Sequence, residues 1–247
     1  MEWFWLIVAA GGAGFGVKWW RDRRARHRAE AEDFERLRHL AEEDVTYLGE
    51  LVLRFGREVE EQAIDKETSA AVRTAFECYE SAQRSLSQIN HPKDVSNVTH
   101  AISTARHALA SAQARLAGRP APAQRVMCFF NPQHGLSAGD VLWTRPGHGQ
   151  RAVPACPQDA QRLADKLEPE IRLVKTGNRT GPYWAAGSAF LPYTRGYFAS
   201  TATLSWACNP QVADAAASTG APGYFGTGIV GSSGNFDGGG YDGSGAP

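Results

Sequence analysis

The sequence predicts a mainly α N-terminal half, a transmembrane helix followed by a coiled-coil or three-helix bundle. A small α+β C-terminal domain and a disordered Gly-rich tail complete the chain. Three observations carry this reading. An apolar stretch bounded by tryptophans opens the chain, and between residues 21 and 118 the only proline is Pro92. Beyond Pro120, short β-type runs alternate with turn residues. Charge is balanced, with 26 Lys+Arg against 26 Asp+Glu, which argues against a nucleic-acid partner. Four cysteines in 247 residues exclude a dense disulfide framework.

Residues 1–20 read as a membrane anchor. Leu6, Ile7 and Val8 form its apolar centre, and Trp3, Trp5, Trp19 and Trp20 lie at its two ends, where indole rings favour the interface. As a helix, the stretch from Trp3 to Trp20 spans roughly 27 Å, at the short end of a bilayer core. Bulky Lys18-Trp19-Trp20 makes a poor signal-peptide cleavage site. Val17 stands where a dinucleotide fingerprint beginning at Gly12 needs its last glycine. Lys18, Arg21, Arg23, Arg24, Arg26 and Arg28 then form a basic collar suited to anionic lipid headgroups. The positive-inside rule therefore places the N-terminus outside and the C-terminal bulk in the cytoplasm. Gly12 and Gly16 form a G-x-x-x-G pair of the kind that lets two membrane helices approach as a homo-oligomer.

Residues 21–118 read as a helical stalk and bundle. Phe34, Leu37, Ala41, Leu48, Leu51, Val52, Phe55 and Val59 recur at helical spacing, and that helix is expected to end near Gln62. A second helix is expected from Glu67 to Ile89, with Val72, Phe76, Tyr79, Ala82, Leu86 and Ile89 on one face. Asn90 to Lys93 breaks it, and Asp94 is the expected N-cap of a third helix that stops at Gly118. Residues 119–124, Arg119-Pro120-Ala121-Pro122-Ala123-Gln124, read as a stiff linker.

Residues 125–198 read as a small α+β domain. Val126 to Phe130 is an expected strand, Asn131 to Gly135 a turn, and Asp140 to Val153 a hairpin. A short helix opening at Pro157 and a strand from Ile171 to Val174 follow. This order is similar to a treble-clef zinc module. Cys128, His134, Cys156 and Asp159 are the candidate ligands, spaced C-x5-H…C-x2-D, with Zn2+ the expected ion. The knuckle is wider than usual and the last ligand is a carboxylate, which could equally cap the helix. A Cys128–Cys156 disulfide and two simply buried thiols are the competing readings. Tyr183, Trp184, Tyr193 and Tyr197 could line a binding surface for peptide or sugar, or serve as core. Residues 199–247, rich in Gly, Ser and Ala, are expected to be disordered, with Cys208 exposed among them.

Cys128-Phe129-Phe130-Asn131-Pro132-Gln133-His134-Gly135, Val153-Pro154-Ala155-Cys156, Gly181-Pro182-Tyr183-Trp184 and Gly196-Tyr197-Phe198 together resemble a group of actinobacterial single-pass membrane proteins. The resemblance covers essentially the whole chain and implies an anchor, a helical stalk, this domain and a glycine-rich tail, with no activity attached. The tail is also reminiscent of TPM-domain proteins, in composition alone.

The functional expectation is a non-enzymatic membrane scaffold or adaptor that binds an unidentified protein partner or itself. One alternative is a thiol-dependent hydrolase or redox module in which Cys128 pairs with His134 or His148. No G-x-S-x-G, P-loop or H-E-x-x-H motif offers another chemistry. The other alternative is an extracellular protein that binds cell wall through its aromatic end.

Overall fold

The protein is described by a computed structural model covering residues 2–60, 62–144, 149–177 and 179–198, with the backbone alone for 2–17. It is largely helical, with the strands confined to the C-terminal half. α1 (Glu2–Glu60) is one uninterrupted helix. Its side chains from 18 to 32 are exposed all round, whereas Leu37, Leu40, Ala41, Val45, Leu48, Val52, Phe55 and Val59 are buried. The apolar stripe therefore closes a bundle over its second half only. No helix among the described residues is long and apolar enough to cross a membrane. Of the expected anchor, residues 1–20, the side chains of 1–17 lie outside the description, as do the expected tail and Cys208.

α2 (Lys66–Ser87) and α3 (Val95–Leu116) complete the bundle with α1, within about two residues of the expected bounds. Asp65 starts α2 by accepting the Thr68 N–H at 2.6 Å. That bond holds the Asp65 carboxyl below its usual range. Asp94 departs from expectation. It stands at the N-cap position of α3, but its carboxylate turns back to accept the N–H groups of Asn90 and His91 at 3.1 and 2.9 Å. It thus fastens the Pro92–Asp94 turn between the helices. α3 ends at Gly118 in the left-handed region, φ 67°, with the Arg119 N–H returned to Ala114 O.

The C-terminal module opens with a loop in place of the expected strand. Of Val126 to Phe130 only Met127 makes a β-bridge, to Leu136, and Pro132–His134 is a 3-10 turn. β1 (Gly139–Thr144) and β2 (Gln150–Ala155) form an antiparallel hairpin that leads directly into α4 (Pro157–Ala164). β3 (Leu173–Thr176) pairs with β4 (Arg179–Pro182), a strand that sequence reading missed. α5 (Leu191–Phe198) ends the described chain and lies on α3.

Two corrections concern packing. First, the linker 119–124 does not separate two units, because buried residues of the bundle and of the module form one continuous core. His107 of α3 meets the Pro122 carbonyl at 3.1 Å, laying the linker along the bundle. Second, Tyr183, Trp184, Tyr193 and Tyr197 form no exposed aromatic surface; all four are buried. Tyr183 and Trp184 close on Phe129, whose ring stacks on Trp184 at 4.4 Å and meets Phe130 and Phe198 edge-on, and Tyr193 and Tyr197 extend the set through Tyr183 and Phe198. A module with so few aliphatic residues builds its interior from rings, which supply large apolar area each.

α5 of the module lies close against α3 of the bundle at Gly196. A methyl group there would overlap the Thr99 hydroxyl and come within 3.0 Å of Ser96 Cα on α3. Gly196→Ala is expected to destabilise the fold by about 3 kcal/mol, because the buried Thr99 side chain and the α3 backbone at Ser96 both stand in the way. Gly49→Ala on α1 serves as the contrast. It would press only on the end of the Tyr79 ring, which can swing away, so urea unfolding should find it far less damaging.

Candidate metal centre

Four side chains from two elements converge at one point. Cys128 and His134 come from the loop before β1, and Cys156 and Asp159 from the start of α4. Local sequence dictates each position. Asn131 accepts the Gln133 N–H and sets the 3-10 turn, which swings His134 back over Cys128. Gly135, at φ 97°, closes the loop so that its carbonyl accepts the Cys128 N–H at 2.8 Å. Cys156 is the N-cap of α4, accepting the Asp159 N–H on sulfur at 3.4 Å, and Pro157 fits the first helical turn.

The donor atoms all lie within 4.8 Å of one another. Asp159 Oδ2 is the hub, at 2.8 Å from His134 Nδ1, 3.2 Å from Cys128 Sγ and 3.3 Å from Cys156 Sγ. Cys156 Sγ and His134 Nδ1 are 3.7 Å apart. Ligands of a tetrahedral zinc ion, at about 2.0–2.3 Å from the metal, sit roughly 3.3–3.8 Å from each other. The cluster is thus close to the dimensions of a zinc tetrahedron, and could hold a metal ion.

The electrostatics follow from burial and these bonds. Burial pushes the Cys128 thiol well above its usual range, opposed by the Asn131 and Cys156 amides. Cys156 is raised for the same reason, against its bond from the Asp159 N–H. For Asp159, burial works upward, but His134, the Glu170 amide and both thiols together hold the carboxyl low. The bond to Asp159 raises His134, against burial. Two thiols and an imidazole thus crowd protons around one carboxylate, and a dication bound there would take the place of the thiol protons.

Residues that sequence reading missed surround the cluster. The Glu170 N–H binds Asp159 Oδ1 at 2.9 Å, and the Glu170 carboxylate lies 3.7 Å from His134 Nε2. Behind them Asp44 of α1, 2 % exposed, accepts bonds from Tyr193, Tyr197 and Gln133 and pairs with Arg172. One signal for Asp44 was present in the sequence: its spacing from Leu37, Ala41 and Leu48 puts a carboxylate on the apolar stripe.

The other expectations fall away from this point. Cys128 and Cys156 are free thiols, not a disulfide. Cys78 is half-buried in α2, and His148 lies outside the described residues. Lys18, Arg21, Arg23, Arg24, Arg26 and Arg28 are all exposed on α1, with Arg24 over the Trp20 ring at 3.9 Å. An open groove between α1 and α2, lined in part by Val45, Leu53, Tyr79 and Leu86, lies away from the cluster. Comparison with protein-family models, with curated proteins and with solved structures gives no match.

Proposed function

We propose that the protein is a single-pass, membrane-anchored adaptor whose C-terminal module is stapled by a structural zinc ion in a treble-clef-like arrangement. The observation that supports this most is the closed donor set. Four protein ligands leave no open position of the kind that catalytic zinc keeps for water. Thiolate sulfur selects zinc over calcium or magnesium. A loop, then a hairpin, then a helix with ligands in its first turn is the chain order expected of such a module. The α4 N-terminus adds favourable partial charge beside the anionic ligands.

Burial of both sulfurs weighs against the thiol-enzyme reading, because a nucleophile needs an approach path. Burial of the aromatic set likewise weakens the cell-wall reading. The anchor rests on the apolar residues 3–17 and on the exposed collar after them, which suits anionic headgroups and a cytoplasmic module.

Two measurements test this reading. Purified full-length protein should carry one zinc per chain by elemental analysis, and Cys156→Ser should lose it; a metal-free wild type would remove the proposal. In intact cells, an impermeant thiol reagent should leave Cys208 unlabelled. Labelling would place the module outside and restore the extracellular alternative.

A further inference from the structure

Asp44 sits on α1, outside the metal cluster, yet two of its four partners, Gln133 and Arg172, belong to segments that build or brace the cluster. Gln133, which donates to Asp44 Oδ1 at 2.9 Å, is the residue immediately before His134. Arg172, 3.1 Å from the same oxygen, follows two residues after Glu170, whose amide fastens Asp159. Arg172 also donates its backbone N–H to Phe130 O, inside the Cys128–His134 loop. The remaining oxygen of Asp44 receives the hydroxyls of Tyr193 and Tyr197 at 2.5 and 2.9 Å. From α3, Arg106 donates to the Gln133 carbonyl at 2.8 Å and pins the same turn from the other side.

We infer that Asp44 is a positioning residue of the metal centre, so that metal binding and the clasping of α1 by the C-terminal module favour one another. The inference rests on the zinc reading given above. The physical reason is the cost of a buried carboxylate. With the His134 loop and the Glu170–Arg172 segment in place, Asp44 has four donors. If either moves, a carboxylate shut away from water loses one of those donors, Gln133 or Arg172. The carboxylate therefore selects the loop conformation in which His134 faces Cys128, Cys156 and Asp159. Linkage makes the effect reciprocal: whatever holds the loop for Asp44 also holds it for the metal. Groups behind metal ligands act on affinity in this way, typically by about 10- to 100-fold.

The test uses the full-length protein in detergent, with Zn2+ and Co2+ as probes. Zinc affinity is read by competition with a chromophoric chelator. Asp44→Asn should weaken it by about 10- to 100-fold, while Glu80→Gln, on the exposed face of α2, should not change it. At saturating Co2+, Asp44→Asn should keep the thiolate charge-transfer bands of wild type, because the ligands are untouched. A variant that had merely collapsed would lose them. In wild type, removing zinc should speed amide exchange in α1 around residues 40–52. Should Asp44→Asn fail to fold, Tyr197→Phe removes one donor and should give a smaller loss of affinity. Wild-type zinc affinity in these variants would overturn the inference and leave the zinc reading standing. A wild type that binds no zinc would overturn both.

Discussion

Removing the metal with a strong chelator is expected to abolish the near-ultraviolet circular dichroism of Trp143 and Trp184 while leaving most of the helical signal. The module has little regular secondary structure of its own to hold the loop and α4 in place. Its strands are four to six residues long and pair only as two-stranded hairpins, and α4 has eight residues. Isolated hairpins of that kind are marginal in water. The cluster ties the 128–135 loop to the start of α4, and Cys128 is the chain neighbour of Phe129, whose ring stacks in the aromatic core. Structural zinc supplies about 10–16 kcal/mol in peptides that have no other core. Here the aromatic interior and the contact with α3 and α5 carry a share, so the loss should fall below that range. It should still exceed the cost of an ordinary core substitution, about 2–5 kcal/mol. Cys128→Ser should reproduce the effect of chelation without a chelator. An unchanged aromatic signal after metal removal would refute the staple.

The second large effect is expected from Asp44→Ala, which should lower unfolding stability by about 3–5 kcal/mol, the cost of leaving one side of a buried ion pair unpaired. The Arg172 guanidinium would keep only Glu43, at 2.7 Å, near the surface. Two buried tyrosine hydroxyls and the Gln133 amide would each lose an acceptor at the same time. Asp44→Leu combined with Arg172→Met should recover much of that loss, since replacing a whole buried pair with apolar groups is often neutral or stabilising. Chemical denaturation of Asp44→Leu, Arg172→Met and the double variant gives the coupling energy directly. Additive losses would mean that the pair is not a unit.

Both effects bear on how much was legible in the sequence. The three helices were, because their apolar spacing and end signals are local: Asp65 before α2 and Gly118 after α3 need no tertiary knowledge. The four donors were also legible, as a spacing around a hairpin and a helix start. The assembly of bundle and module was not. Its key contacts join Asp44 to residues 89 to 153 positions away, and nothing local reveals such a distance. Glu42, Glu43 and Asp44 are three successive acidic residues, and only the last of them lies on the buried stripe. The aromatic residues were ambiguous for a related reason. Rings suit a groove and an interior equally well, and only the surrounding chain decides which.

α1 carries one more consequence. Its exposed stretch from 18 to 32 is continuous with the half that the module clasps, so, with the anchor proposed above, the spacer between membrane and module is a rod rather than a tether. Fifteen residues of helix make it about 22 Å long. Each helical residue also turns the rod by about 100°, so spacer length sets the direction the module faces as well as its height. One inserted residue would rotate the module by more than a quarter turn. Seven, close to two full turns, would raise it about 10 Å and leave its heading nearly unchanged.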